Sequence, residues 1–277
     1  MTTELEGRVA FITGAARGQG RAHAVRLARD GVDVIGIDIC ADIATMGYPN
    51  GTEAELEETA RLVEKEGRRM VARKADVRDY DGLVAAFQEG YAEFGRVDII
   101  IANAGIVRLG AESDDFLAEW NDVIDTNLTG VYHTVRAALP AMRDAGRGGS
   151  IVITSSTAGL KGTASLNAAG NAYAAAKRGL VALMQNLATY LAPEWIRVNT
   201  IHPTGVASGM TQNDAMAALM EQAAAGGQNT ISGMQNALPL PILQPEDIAN
   251  AVAFLVSDAA KFITGIQWPL DAGFTVR

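Results

Sequence analysis

Short β-branched runs alternate with stretches of helical period along most of the chain, an order that predicts parallel βαβ units. "VAFIT" (Val9–Thr13) reads as a buried strand, with a helix over Gly20–Asp30 behind it. Further strands are expected at Val32–Ile39, Met70–Val77, Val97–Asn103, Ser150–Ser156, Arg197–His202 and Gln267–Asp271. Helical spacing marks Tyr80–Phe94, a segment capped by Ser113 and running toward Asp125, and Glu246–Ser257. A long helix between these contains Pro140 and should kink or break there. Tyr173, Ala176, Leu180, Leu183, Leu187 and Leu191 repeat at the spacing of one helical face. Thr52 with Glu55 forms a capping box, so a helix should begin at that point. Seven strands in this order, without a Pro/Gly/Ser linker, predict a single doubly wound α/β domain over residues 1–277. Its seven-stranded parallel sheet should carry helices on both faces.

The 277 residues are 48% hydrophobic, enough for one substantial core. A net charge of −9 argues against a nucleic-acid partner, which would demand a basic stripe. The one cysteine, Cys40, rules out an internal disulfide and fits a reducing compartment. "MTTELEGRVAFITG" is not a signal peptide, and no apolar stretch reaches membrane length, so a soluble cytoplasmic protein is expected. His23, His133 and His202 lack ligand spacing; they should occupy helix surfaces or strand ends, and no metal is expected. Trp120, Trp195 and Trp268 should pack in helices or at subunit contacts.

"TGAARGQG" (Thr13–Gly20) lies between the first strand and the first helix. Gly14, Gly18 and Gly20 permit a tight turn whose amides, with the helix N-terminus, can hold a pyrophosphate. The spacing G-x-x-x-G-x-G differs from the commoner G-x-G-x-x-G, and glycines also suit an ordinary βα turn. Its placement, together with Asp38 closing the second strand, favours a dinucleotide and a Rossmann-type sheet. A carboxylate there can accept from the adenosine ribose hydroxyls and would repel a 2′-phosphate. Arg17 could pair with such a phosphate, yet an arginine can also swing into solvent or onto the pyrophosphate, so NAD is favoured over NADP. Gly14, Arg17, Gly18, Gln19, Gly20, Asp38 and Ile39 are therefore cofactor candidates. "ADV" ends the third strand, where Asp76 could take the adenine amine and Val77 donate from its backbone. Asn103, Ala104 and Gly105 end the fourth in a turn compact enough for a ribose to pass. The connection Asp38–Thr52, "DICADIATMGYPNGT", is longer than a βα unit needs, and long ordered loops are commonly functional.

"NAYAAAKRGL" places Tyr173 and Lys177 on one helical face. A free tyrosine titrates near 10; the ammonium and the positive nicotinamide of an oxidised cofactor would both favour phenolate. A shift of roughly 3 units needs about 4 kcal/mol. Tyr173 could then take a proton from an alcohol while hydride passes to the nicotinamide, or protonate a carbonyl in reverse. Such a pair also occurs on many amphipathic surface helices. Ser156, ending "IVITSS", would sit beside Tyr173 and could hold the substrate oxygen. Ser155 is the runner-up for that role, but alternation should point it to the other side of its strand. Asn127, in "DTNLTG", could anchor a water joining Lys177 to solvent.

With "TGAARGQG", "ADV", "NAG", "DTN", "ITSS" and Y-x-x-x-K in this order between Val9 and Gly273, the chain resembles the short-chain dehydrogenase/reductase superfamily. The resemblance implies the catalytic tetrad Asn127, Ser156, Tyr173 and Lys177, with Tyr173 and Lys177 also touching the cofactor, and a homotetramer. Tyr173 follows Ser156 by seventeen positions, about one helical turn more than usual, which makes the intervening substrate-side loop slightly extended. "HPTGVASGM" replaces the more usual proline-glycine start after the sixth strand. Pro203, Gly205 and Val206 should wrap the nicotinamide amide, with Ser208 where a threonine is typical. "MGYPNGT", "HPTGV" and "LDAGFTVR" are similar to the carveol dehydrogenase subgroup. Its members resemble enzymes proposed to keep NAD tightly bound and pass electrons to an external redox cofactor, mycofactocin. The loop Cys40–Gly51 is placed to cover the adenosine half.

Residues 205–240 carry Met210, Met216, Met220 and Met234 among alanines and glycines. They suit a substrate lid hinged at Gly226 and Gly227, and equally a helix pair packed onto the core. With Ile106, Val107 and Leu160 they suggest a small hydrophobic secondary alcohol, such as a cyclic terpenoid, or its ketone. No basic cluster marks a charged substrate, and Lys161 should be solvated. A 3-oxoacyl-thioester reductase would prefer NADPH and need a basic landing patch, which is not found. A non-catalytic nucleotide-sensing protein would not need the phenol and ammonium together.

Overall fold

The computed structural model describes residues 5–108, 110, 113–162, 167–225 and 235–277. Seven strands form one parallel sheet: β1 Val9–Thr13, β2 Asp33–Asp38, β3 Met70–Lys74, β4 Ile99–Ala102, β5 Gly149–Thr154, β6 Ile196–Pro203 and β7 Gln267–Leu270. Their spatial order is β3-β2-β1-β4-β5-β6-β7. The chain winds outward from β1 to β3, then crosses back to β4 on the other side of β1. That reversal opens a crevice beyond the carboxyl ends of β1 and β4, where doubly wound sheets bind ligands.

Side-chain alternation sorts the strands into two cores. Phe11, Ile35, Ile100, Ile151 and Val198 face one side, packing on Leu83 and Phe87 of α3 (Tyr80–Phe94), Val135 and Met142 of α5 (Gly130–Asp144), and Leu180 and Met184 of α6 (Ala168–Leu191). Ile12, Val34, Ile99, Ile101 and Val152 face the other. There they meet Leu27 of α1 (Gly18–Arg29), Leu56 and Val63 of α2 (Glu53–Lys65), and Ile248 and Val252 of α8 (Pro245–Val256). Strands buried on both faces explain the unbroken apolar runs.

The Thr52–Glu55 capping box forms and starts α2. Two local expectations are corrected. The helix containing Pro140 is α5, and it runs through the proline to Asp144. Pro140 lies close to its end, so little of the hydrogen-bond ladder depends on the missing N–H. The irregularity falls upstream, in the π-helical turn Asp125–Thr129 that joins α4 (Phe116–Ile124) to α5. Ser113 does not cap α4, whose N-cap is Asp115. Its hydroxyl instead donates to Glu119 and accepts the Asp115 N–H. A further helix, α7, spans Asp214–Ala224. Gly226, Gly227 and Met234 lie outside the described residues. No helix among the described residues is long and apolar enough to cross a membrane.

Candidate active site

Two clefts meet at the carboxyl edge of the sheet. One runs over the β1–α1 turn and the ends of β2 and β3, and is lined by Gly14, Arg17, Gly18, Gln19, Asp38, Ile39, Asp76, Val77, Asn103, Ala104, Gly105 and Ser208. The second is lined by Ser156, Tyr173, Lys177, Pro203, Gly205 and Val206. Gln19, Asn103, Gly105, Ser208 and Met210 border both. Among the candidates Gly20 and Asn127 line neither, and the requirement at Gly20 is steric. A Cβ there would stand 1.9 Å from the Gly14 carbonyl oxygen.

Asp38 is held by the backbone: the Ala16 N–H donates to Oδ2 at 3.0 Å and the Cys40 N–H to Oδ1 at 3.2 Å. A Cβ on Gly51 would lie 3.2 Å from Oδ1, so the loop end crowds the carboxylate. Arg17 turns away from this point and donates to the Pro49 carbonyl, clamping the loop. Asp76 is paired with Arg78, which also bridges to Asp122 at 2.6 Å. Thr13 Oγ1 accepts from the Asn103 and Ala104 amides, tying the ends of β1 and β4 together.

The long connection after β2 closes over this cleft. Asn50 fastens it to Asp42 and Ala41, and Thr45 donates to Asp122 at 2.6 Å. Ile43 and Met46 join Ile106, Val123, Ala169 and Ala172 in a third apolar cluster, against which Tyr173 packs. The Tyr48 hydroxyl accepts the Val107 N–H at 3.2 Å. The strap therefore reaches across to α4 and α6, farther than the adenosine half. Its first residue, Cys40, is buried with a left-handed φ of 47°; burial and the nearby Asp38 push its thiol up to about 12.

Tyr173 and Lys177 share one face of α6, and the Ser156 hydroxyl, which accepts the Ala158 N–H at 3.1 Å, lies near enough to the Tyr173 phenol to act on its ionisation. Ser155 does not face away as alternation predicted: β5 ends at Thr154, and the buried Ser155 hydroxyl donates to the Lys177 carbonyl of α6 while the residue lines the same cleft as Ser156. Lys177 is buried and sends its ammonium to the Thr154 carbonyl at 2.9 Å. Burial lowers it to about 8. Burial raises the Tyr173 phenol above its ordinary value, with the Ser156 hydrogen bond opposing and Tyr48 adding to the rise. The protein's own groups thus keep the phenol protonated, a correction to the expectation that Lys177 depresses it. The ammonium points to a backbone carbonyl, and any further cation must come from a ligand. Asn127, in the π turn, clamps Ile106 through both its N–H and its carbonyl, at 3.0 and 2.8 Å. π turns are frequent at functional sites because they turn one residue out of helical register.

Other expectations are revised by burial. His23 is wholly enclosed on α1, with neither ring nitrogen bonded, and desolvation lowers it to about 3. His202, ending β6, bonds Ser156 and Thr200. No metal-holding cluster occurs among the described residues. Lys161 is exposed but donates to the Arg277 carbonyl and lies over Phe274. Trp195 is 69% exposed in a turn, and Trp268 meets Phe254 edge-on. Tyr48, Arg78, Thr13 and Arg108, the last ion-paired to buried Glu119 in the second cleft, were not legible beforehand. Only the unusual length of the loop pointed toward Tyr48.

This strand order, with a glycine turn at the switch point and Ser, Tyr and Lys at its rim, is that of a dinucleotide-dependent oxidoreductase fold. Residues 8–218 match the model of the short chain dehydrogenase family, and the chain belongs to that family. It is 46% identical over 278 residues to the (−)-trans-carveol dehydrogenase of Rhodococcus erythropolis, covering 99% of each chain. An uncharacterized oxidoreductase of Mycobacterium tuberculosis is 51% identical over 270 residues, 98% of this chain and 97% of its own. The crystal structure of carveol dehydrogenase from Mycobacterium avium in complex with NAD superposes with a TM-score of 0.90 at 45% identity, covering 100% of both chains.

Proposed function

We propose that the protein is an NAD-dependent alcohol dehydrogenase that interconverts a small hydrophobic secondary alcohol, carveol-like, and its ketone. The observation that carries this reading is the junction of the two clefts, which sets Tyr173, Ser156 and Lys177 at the end of a dinucleotide-shaped groove. The groove fits NAD on its own terms. Gly14 and Gly20 leave backbone-width space at the turn, Asp38 presents a positioned carboxylate, and a buried Gln19 oxygen awaits a donor. Gly14, Gly18, Asp38, Asp76, Asn103, Gly105 and Val206 would hold it; once bound, NAD supplies the hydride acceptor or donor. Around the reacting carbon, Ser156 holds the substrate oxygen and Tyr173 takes or returns its proton. Lys177 keeps that proton path polar, and Asn127 fixes the Ile106 backbone beside it. Apolar Val107, Met210 and Met216 line the substrate side.

The strap over Cys40–Gly51 supports slow release of NAD, with electrons leaving to an external redox cofactor of the mycofactocin type. Residues 205–240 act as the substrate lid within a single domain. Exposed Phe116, Leu117, Trp120 and Tyr132 on α4 and α5 offer a cytoplasmic homotetramer apolar surface to bury.

Mass spectrometry of nucleotide released from denatured protein should find NAD. Single-turnover oxidation of carveol by Tyr173→Phe protein should fall by about 10²–10⁴-fold with NAD still bound. An undiminished rate would remove Tyr173 from the chemistry.

A further inference from the structure

At the junction of the two clefts one acceptor has no donor. Gln19 occupies the first turn of α1, borders both clefts, and its Oε1 is buried without a hydrogen-bond partner. Buried acceptors in folded proteins are nearly always satisfied, and leaving one bare is costly. The side chains that share this junction cannot supply the bond. Asn103 Nδ2 donates to the carbonyls of Thr13 and Gly14, at 3.1 and 3.4 Å. Ser208 Oγ donates to the Val206 carbonyl at 3.3 Å, and Met210 has no donor in its side chain. Just behind Ser208, Thr211 Oγ1 is also directed at the Val206 carbonyl. A donor on the ligand would complete this bond.

Resting on the NAD reading above, we infer that Gln19 Oε1 accepts a hydrogen bond from the carboxamide NH₂ of the nicotinamide. The chemistry of the ligand narrows the choice. The pyrophosphate has no donor, and the adenine amine belongs at the far end of the groove, near Asp76. At the nicotinamide end the carboxamide is the one group that carries N–H donors. Its position on the first helical turn also makes Gln19 well suited to the task, because the helix fixes its Cβ while three torsions adjust the amide. A bond from Gln19 on one side and the Pro203–Val206 backbone on the other would fix the rotation of the pyridine ring. Only one face would then be presented to the alcohol beside Tyr173. Gln19 is thus a cofactor-orienting residue, and NAD is selected by its amide as well as its ribose.

The test uses 3-acetylpyridine adenine dinucleotide, in which a methyl ketone replaces the carboxamide and removes both N–H donors. Wild-type protein is held in an equimolar mixture of NAD and the analogue until the bound ratio is constant, then denatured, and the released nucleotides are counted by mass spectrometry. NAD should be preferred about tenfold or more, the worth of one buried hydrogen bond. In Gln19→Met, which keeps length and helix propensity but has no strong acceptor, the preference should shrink toward unity. In Gln19→Glu, which keeps an acceptor, it should persist even if both nucleotides bind more weakly. An equal preference in wild type and Gln19→Met overturns the inference, as does its loss in Gln19→Glu. Wild-type protein that takes up neither nucleotide would instead refute the NAD reading itself.

Discussion

The ammonium of Lys177 lies 5.6 Å from the ring centroid of Tyr173, one helical turn earlier, and donates to the Thr154 carbonyl rather than to the phenol oxygen. The pair is adjacent without being bonded. This geometry explains why burial, and not the lysine, governs the phenol in the protein alone.

Tyrosinate formation should therefore depend on the cofactor. The step in tyrosinate absorbance that disappears in Tyr173→Phe should lie above the ordinary tyrosine range without nucleotide. Adding oxidised NAD should move it down, because a positive pyridinium favours the anion. A step that stays in place would mean that the phenol is not activated by nearby positive charge.

Gly20→Ala tests the turn. The added methyl meets the Gly14 carbonyl oxygen at 1.9 Å and its carbon at 2.7 Å, neither of which can yield as a side-chain tip would. Nucleotide should no longer co-purify, and urea denaturation should show a loss of about 1–3 kcal/mol from overpacking. Normal nucleotide content would show that the turn can open at no cost to binding.

The strap should report on itself through Cys40. With the thiol buried and pushed up to about 12, reaction with a disulfide reagent at pH 8 should be very slow in native protein. Arg17→Ala, which removes the clamp on the Pro49 carbonyl, should accelerate both thiol labelling and NAD release. Faster labelling with unchanged release would separate the strap from cofactor retention.

His23 makes folding pH-dependent. Its folded value of about 3 lies below the ordinary 6.5, so between those values the unfolded chain binds the proton and the folded chain does not. Its contribution is fully favourable above pH 6.5 and declines as the pH falls, by about 2 kcal/mol between pH 7 and 5. His23→Leu should flatten that part of the stability curve in denaturant titrations. An equally steep decline would place the sensitivity in other groups.

Much of the architecture was legible before any coordinates, because apolar runs of strand length and helical repeats are set by neighbouring residues. The Thr52 capping box and the helix Tyr80–Phe94 came from such local chemistry. The shared face of Tyr173 and Lys177 followed from helical spacing, whereas Ser156 lies beyond the end of β5, where strand alternation no longer applies. The π turn at Asn127 and the uninterrupted passage through Pro140 left no periodic trace.

Local residue patterns alone set which residues face the sheet and which polar groups collect at its carboxyl edge. Tertiary structure decided how those groups are engaged: Arg17 on the Pro49 carbonyl, Lys177 on Thr154, the strap on α4 and α6, and Gln19 Oε1 buried at the junction of the clefts without a protein donor. The reason is physical. Periodicity records burial within one element, whereas a hydrogen-bond partner or a desolvated charge is fixed by atoms that folding brings in from distant parts of the chain.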